Sequence, residues 1–149
     1  MVEIDVQPTS DGRLVVFHDA GLDCRTDGHG TTREQPLAAL QALDVGHGYT
    51  ADGGQTWPFR GEGVGLIPVL EEVFDAFPDA PFVLDLKTGE TDLIVAFLDG
   101  LTASRRALLW VYGAPAPVEV VAARFPEVRT FIWGQSIGCL KGYLRTGWR

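Results

Sequence analysis

Apolar and acidic positions alternate from the second residue: Val2, Ile4 and Val6 are interleaved with Glu3 and Asp5, the period of a β-strand. Residues two apart on a strand share a face, so both carboxylates leave it together. Ser10, Asp11 and Gly12 form a turn-like trio. Leu14-Val15-Val16-Phe17 is then a second strand, ending at once in His18-Asp19. Residues 20 to 66 lose this rhythm. They are polar and glycine-rich, and one apolar patch at Leu37, Leu40 and Leu43 predicts one or two helical turns, entered through Thr31-Thr32 and Pro36. A stretch this long without regular structure is usually functional, or an excursion over a site.

From Ile67 the spacing is regular again. Apolar residues at 69, 70, 73, 74 and 77 predict a helix over 68–77, with Pro68 in its first turn. A strand over 82–87 (FVLDLK), a helix over 91–101, a strand over 107–112, a helix over 117–125 and a strand over 129–133 follow. A short helix over 135–146 closes the chain. Strands alternating with helices of this length predict βαβ units, a parallel sheet and the α/β class.

A length of 149 residues suits one domain over 1–149, and an apolar fraction of 46% supplies a core. Twenty acids against twelve bases leave a net charge of -8, which argues against nucleic acid or an anionic membrane as partner. A divalent cation bound by carboxylates still permits action on a phosphate ester. Cys24 and Cys139 have no metal-ligand spacing and read as free thiols of a reducing, cytoplasmic setting. No signal-like segment opens the chain, and no apolar run approaches the ~20 residues of a membrane span.

In parallel α/β folds, chemistry gathers at the carboxyl ends of strands. Three such ends carry polar side chains: Glu3 with Asp5, His18 with Asp19, and Asp85 with Lys87. The first pair reads either as a solvated face or as a metal site. Asp85 and Lys87, inside an apolar strand, read either as an internal ion pair or as a third carboxylate ligand beside a phosphate contact. In the metal reading Glu3, Asp5 and Asp85 surround a hard cation, Mg²⁺ or Ca²⁺, because zinc would more often recruit His or Cys. Arg25 and Arg60 lie on loops and are candidate phosphate contacts. His29 and His47, among glycines, read as loop residues, and Trp57, Trp110 and Trp133 as core or rim. No Gly-rich phosphate loop, G-x-S-x-G or zinc motif occurs.

Residues 2–19 (VEIDVQPTSDGRLVVFHD) resemble the early barrel segment of glycerophosphodiester phosphodiesterases: E-x-D, a short turn, then an apolar strand ending in H-D. The likeness continues through 22–30 (LDCRTDGHG), 40–46 (LQALDVG), 67–73 (IPVLEEV) and 83–87 (VLDLK), and beyond residue 88 only the helix–strand alternation agrees. The resemblance implies an eight-stranded β/α barrel and metal-dependent hydrolysis of small-molecule glycerophosphodiesters to glycerol 3-phosphate and an alcohol. By position it implies Glu3, Asp5 and Asp85 as metal ligands, His18 as one of two acid/base histidines, and Lys87 as a substrate-phosphate contact.

Two departures stand out. Asp85 occupies a position where the family usually has Glu, and the family's His-Arg-Gly, source of the other catalytic histidine, is absent. A barrel of this type takes ~250 residues. The expectation is therefore a partial TIM-type (β/α)8 barrel, an incomplete domain of the family, with a β-hairpin and a long Gly-rich loop after the second barrel strand. Its open sheet edges would favour self-association. Two alternatives stay open: a non-catalytic part-barrel that binds a metal or phosphometabolite, and a sphingomyelinase D-like phosphodiesterase.

Overall fold

The computed structural model describes residues 1–86 and 91–132, so Lys87, Trp133, Cys139 and the expected helix over 135–146 lie outside the described residues. In chain order the elements are β1 (Val2–Pro8), β2 (Leu14–Val16), α1 (Leu37–Gln41), α2 (Leu70–Ala76), β3 (Phe82–Leu86), α3 (Thr91–Asp99), α4 (Ala103–Arg106), β4 (Leu109–Gly113), α5 (Pro115–Arg124) and β5 (Arg129–Ile132). They fall into two compact units. Met1–Asp5 and the chain from Pro78 onward form the first, and Val6–Phe77 the second.

The first unit orders its strands β1-β3-β4-β5. β3 runs parallel to β4 and β4 to β5, with Asp85 opposite Tyr112 and Tyr112 opposite Phe131. The pleat sorts the side chains. Leu84, Leu86, Leu109 and Val111 are buried, as are Ile94 and Leu98 of α3 and Val118 and Val121 of α5. Fully burying each such side chain is worth ~1.5–3 kcal/mol, and this apolar layer holds the unit together. Val83, Asp85, Trp110, Tyr112 and Phe131 take the alternate strand positions and so share the other face.

Helix α4 is absent from the sequence reading, which passes directly from a helix to a strand. It is a single turn capped by Thr102, whose Oγ1 accepts from Arg105 N at 3.2 Å. Its arginines make tertiary bonds: Arg105 donates to Ala80 O at 2.6 Å, and Arg106 donates to Leu98 O and pairs with Glu127. A four-residue turn held this way has no apolar period to read. α5 starts at Pro115, where a proline's missing N–H is no loss. α2 starts after Pro68 instead of containing it, and Val69 N donates to Glu72 Oε2 at 3.1 Å.

In the second unit β2 pairs antiparallel with the end of β1, Val6 against Val16 and Pro8 against Leu14. Gly12 closes this hairpin at φ +77°, a conformation open to glycine at little cost. Val15, Leu22, Leu40, Ile67 and Val69 form a core, with Phe17, Leu37, Leu43 and Val45 packed on it. The 45–66 segment is fixed by the carboxylate of Asp44, only 5% exposed, which accepts from the amides of Gly46 (2.9 Å), Gly61 (2.7 Å) and Gly63 (3.0 Å). A Cβ on Gly46 would lie 2.0 Å from Phe59 O, and one on Gly63 would lie 2.3 Å from Gly46 N. The glycines here permit close packing of backbone on backbone. Among the described residues no helix is long and apolar enough to cross a membrane.

Candidate metal centre

Strand parity sends Glu3 and Asp5 to one face of β1, and Asp85 arrives from β3, its neighbour in the first unit. One carboxylate oxygen from each residue can be chosen so that all three lie within 4.8 Å of one another. Glu3 is exposed, Asp5 half-buried and Asp85 only 2% exposed. Three negative groups this close repel one another strongly where one is removed from water. A hard divalent cation with oxygen ligands offsets that repulsion, and the donor set fits Mg²⁺ or Ca²⁺ chemistry.

A residue not singled out from the sequence braces this cluster. The Tyr112 hydroxyl donates to Glu3 Oε1 at 3.1 Å and also hydrogen-bonds Asp85. Its ring stacks on Phe131, with centroids 4.9 Å apart and planes 4° from parallel. Burial first, then the hydrogen bond and charge of Asp85, then Glu3, push the phenol well above its ordinary value of 10.0, so it remains a donor at neutral pH. Sequence shows Tyr112 only as one residue of an apolar strand. Its position opposite Asp85 depends on a register that local pattern does not carry.

His18 belongs to the second unit, just past β2, with 71% of its side chain exposed. Its Nδ1 lies 2.7 Å from Asp19 Oδ1, and Asp19 Oδ2 accepts from Arg25 Nε at 2.8 Å. The bond to His18 first, and then Arg25, hold Asp19 below the usual carboxylate range. With Nδ1–H donating to Asp19, Nε2 keeps its lone pair for proton transfer. Gln7, 4% exposed, fixes the backbone on both sides of this histidine. Its Nε2 donates to Phe17 O at 2.9 Å and to Asp19 O at 2.7 Å, while the Thr32 hydroxyl donates to Gln7 Oε1 at 3.3 Å. A polar residue ending an apolar strand is the only sequence signal for Gln7.

Both arginines picked from the sequence already have partners. Arg25 is paired with Asp19, and Arg60 donates to His47 O at 2.9 Å with its guanidinium 4.1 Å from the centroid of the Trp57 ring. His29 pairs with Asp23 on the surface, in keeping with a loop residue. Lys87 lies outside the described residues.

The profile of the Glycerophosphoryl diester phosphodiesterase family matches residues 1–113. A glycerophosphodiester phosphodiesterase of Bacillus subtilis is 36% identical over 94 residues, covering 60% of this chain and 31% of that protein. A lysophospholipase D of Rattus norvegicus is 31% identical over 136 residues, covering 85% of this chain and 39% of that one. Among solved structures, the glycerophosphoryl diester phosphodiesterase domain of an uncharacterized Mycobacterium tuberculosis protein superposes with a TM-score of 0.76 at 24% identity, over 97% of this chain and 53% of that chain. An Oleispira antarctica phosphodiesterase, solved with the product sn-glycerol-3-phosphate, gives a TM-score of 0.63 at 24% identity, over 93% of this chain and 59% of that chain. The chain thus spans about a third of the length of the first curated relatives it matches. The structural likenesses bear out the fold expected from the sequence, an α/β chain corresponding to part of a TIM-type barrel.

Proposed function

Because the chain belongs to the glycerophosphoryl diester phosphodiesterase family, we propose that it hydrolyses glycerophosphodiesters to sn-glycerol 3-phosphate and a free alcohol with the help of a divalent cation. The observation that supports this most is the convergence of the Glu3, Asp5 and Asp85 carboxylates. These three would hold Mg²⁺ or Ca²⁺, which when bound supplies positive charge against the phosphoryl oxygens. His18 has the chemistry of the proton carrier: Nε2 takes a proton from the attacking water or returns one to the leaving oxygen. Asp19 keeps the ring in the tautomer that leaves Nε2 free, and Gln7 holds the backbone around it. The bond from phosphorus to the alcohol oxygen breaks, the water oxygen joins phosphorus, and a water proton ends on the alcohol. Lys87, Arg25 and Arg60 are the phosphate contacts in this reading, and the two arginines would exchange their present partners for substrate oxygens.

The test is release of sn-glycerol 3-phosphate from glycerophosphocholine by the purified chain, with Mg²⁺ or Ca²⁺ and with chelator. Metal-dependent turnover that His18→Ala removes is the expected result. A folded chain that binds the metal without turnover would sink the catalytic reading and leave a non-catalytic metal-binding part-barrel.

A further inference from the structure

The sheet face that carries Asp85 also carries Trp110 and Tyr112 from β4 and Phe131 from β5. Phe131 meets both of the other rings. It stacks on Tyr112, and it meets Trp110 edge to face, with centroids 6.1 Å apart and planes at 71°. The guanidinium of Arg129 lies 5.2 Å from the centroid of the Trp110 ring. Register produces this row, because Trp110 stands opposite Arg129 and Tyr112 opposite Phe131. Contacts therefore run from the start of β5 through three rings to the hydroxyl that bonds Glu3 and Asp85.

The core of this unit lies on the other face, where Leu84, Leu109 and Val111 are buried. Phe131 stays half-buried, so filling that core does not account for it. Its contact with Tyr112 does. A phenol hydroxyl stands at the end of a long lever, and rotation about χ1 from one staggered well to another swings it far from any fixed partner. To reach Glu3 and Asp85 together, the Tyr112 ring must keep one well. Leaving that well breaks the parallel stack, so the stack opposes every alternative. Glu3, which is exposed, restrains the phenol far less than a second ring does.

We propose that Phe131 is a positioning residue for the cation site: it holds the Tyr112 phenol between Glu3 and Asp85, and so sets how tightly the acids bind a divalent cation. The inference rests on the metal reading above and extends it to a strand that brings no acid to the cluster. Phe131 lies beyond residue 113, where the match to the family profile ends, and its role is argued from these contacts alone.

The test is calorimetric titration with MgCl₂ and with CaCl₂ of the wild type, Phe131→Leu, Tyr112→Phe and the double variant, each checked for folding by circular dichroism. Phe131→Leu keeps an apolar side chain and removes the ring; Phe131→Ile does the same with a strand-favouring residue and replaces it if the leucine variant does not fold. Cation affinity is expected to fall about two- to tenfold, the scale of one aromatic stack. The double variant is expected to bind as Tyr112→Phe does, because a ring without its hydroxyl has nothing left to position. Phe131→Tyr, which keeps a stacked ring, is expected to match the wild type.

Wild-type affinity in the ringless variant would overturn the proposal. Losses that add in the double variant would overturn it too, since Phe131 would then act on the acids by another route. A loss in Phe131→Tyr equal to that in the ringless variant has the same force. A wild type that binds neither cation would overturn the metal reading and this proposal with it, whereas a wild type that binds, with variants that bind equally well, overturns the proposal alone. None of these readouts uses turnover.

Discussion

The hydroxyl of Tyr112 donates to Glu3 Oε1 at 3.1 Å and links residues 109 apart in sequence. The same hydroxyl bonds Asp85, so one phenol spans two of the three acids. The stack on Phe131 restricts the ring and so the hydroxyl. Groups that orient ligands from behind commonly set metal affinity as strongly as a weak ligand does.

Tyr112→Phe keeps the ring and its stack and removes the hydroxyl. Affinity for Mg²⁺ or Ca²⁺ is expected to fall by about 10–100-fold with the circular dichroism spectrum unchanged. Titration calorimetry on both proteins checks it; equal affinity would show that the acids need no brace.

Glu3→Ala or Asp5→Ala is expected to abolish divalent-cation binding, since each removes one of the three carboxylate donors that, among the described residues, gather within 4.8 Å. Unchanged affinity in both variants would refute the site.

Asp19→Asn keeps the shape beside His18 and removes the acceptor charge. The ring is then expected to lose its single preferred tautomer, visible as a change in the ¹⁵N shifts of the His18 imidazole, and turnover is expected to fall with it. Wild-type shifts in the variant would mean that Asp19 does not choose the tautomer.

Gln7→Leu leaves Phe17 O, Asp19 O and the Thr32 hydroxyl without their shared partner. Stability is expected to drop by about 1–3 kcal/mol, the cost of orphaning buried polar groups, as measured by urea unfolding. A loss below a few tenths of a kcal/mol would mean that water substitutes for the amide.

Asp44 makes a prediction about acid. The amide of Gly61 first, with those of Gly46 and Gly63, lowers its pKa below the ordinary 3.8 in the folded chain. A depressed carboxylate stabilises the fold above its unfolded value, and that contribution is lost as pH falls through the folded one. Asp44→Asn should therefore melt below the wild type at pH 7, and the gap should close below about pH 4. A gap independent of pH would assign the effect to packing.

What local pattern decides was legible in the sequence. Strand parity puts Glu3 and Asp5 on one face, an acid inside an apolar strand marks Asp85, and the structure brings the three together. β1 runs two residues past Val6 because Gln7 and Pro8 keep pairing with β2 after the alternation has ended, and a proline is tolerated at a strand end. Tyr112 was invisible because its role depends on β3–β4 register, Gln7 because its partners lie 10 to 25 residues away, and α4 because tertiary bonds to its arginines hold it. Tyr49 and Phe59 share no period with anything. Only the folding of backbone around Asp44 sets them side by side.

Val6–Phe77 is one unbroken stretch, whereas its companion unit is assembled from two segments that the stretch separates in sequence. For inheritance and for engineering alike, this makes the second unit a cartridge. A double crossover at Asp5 and at Pro78 would exchange His18, its backbone clamp and the Tyr49–Phe59 ring pair as one package, with Glu3, Asp5 and Asp85 left untouched in the recipient. The acid cluster and the histidine with its clamp are thus carried by separable blocks of sequence, and either block can be exchanged while the other keeps its residues.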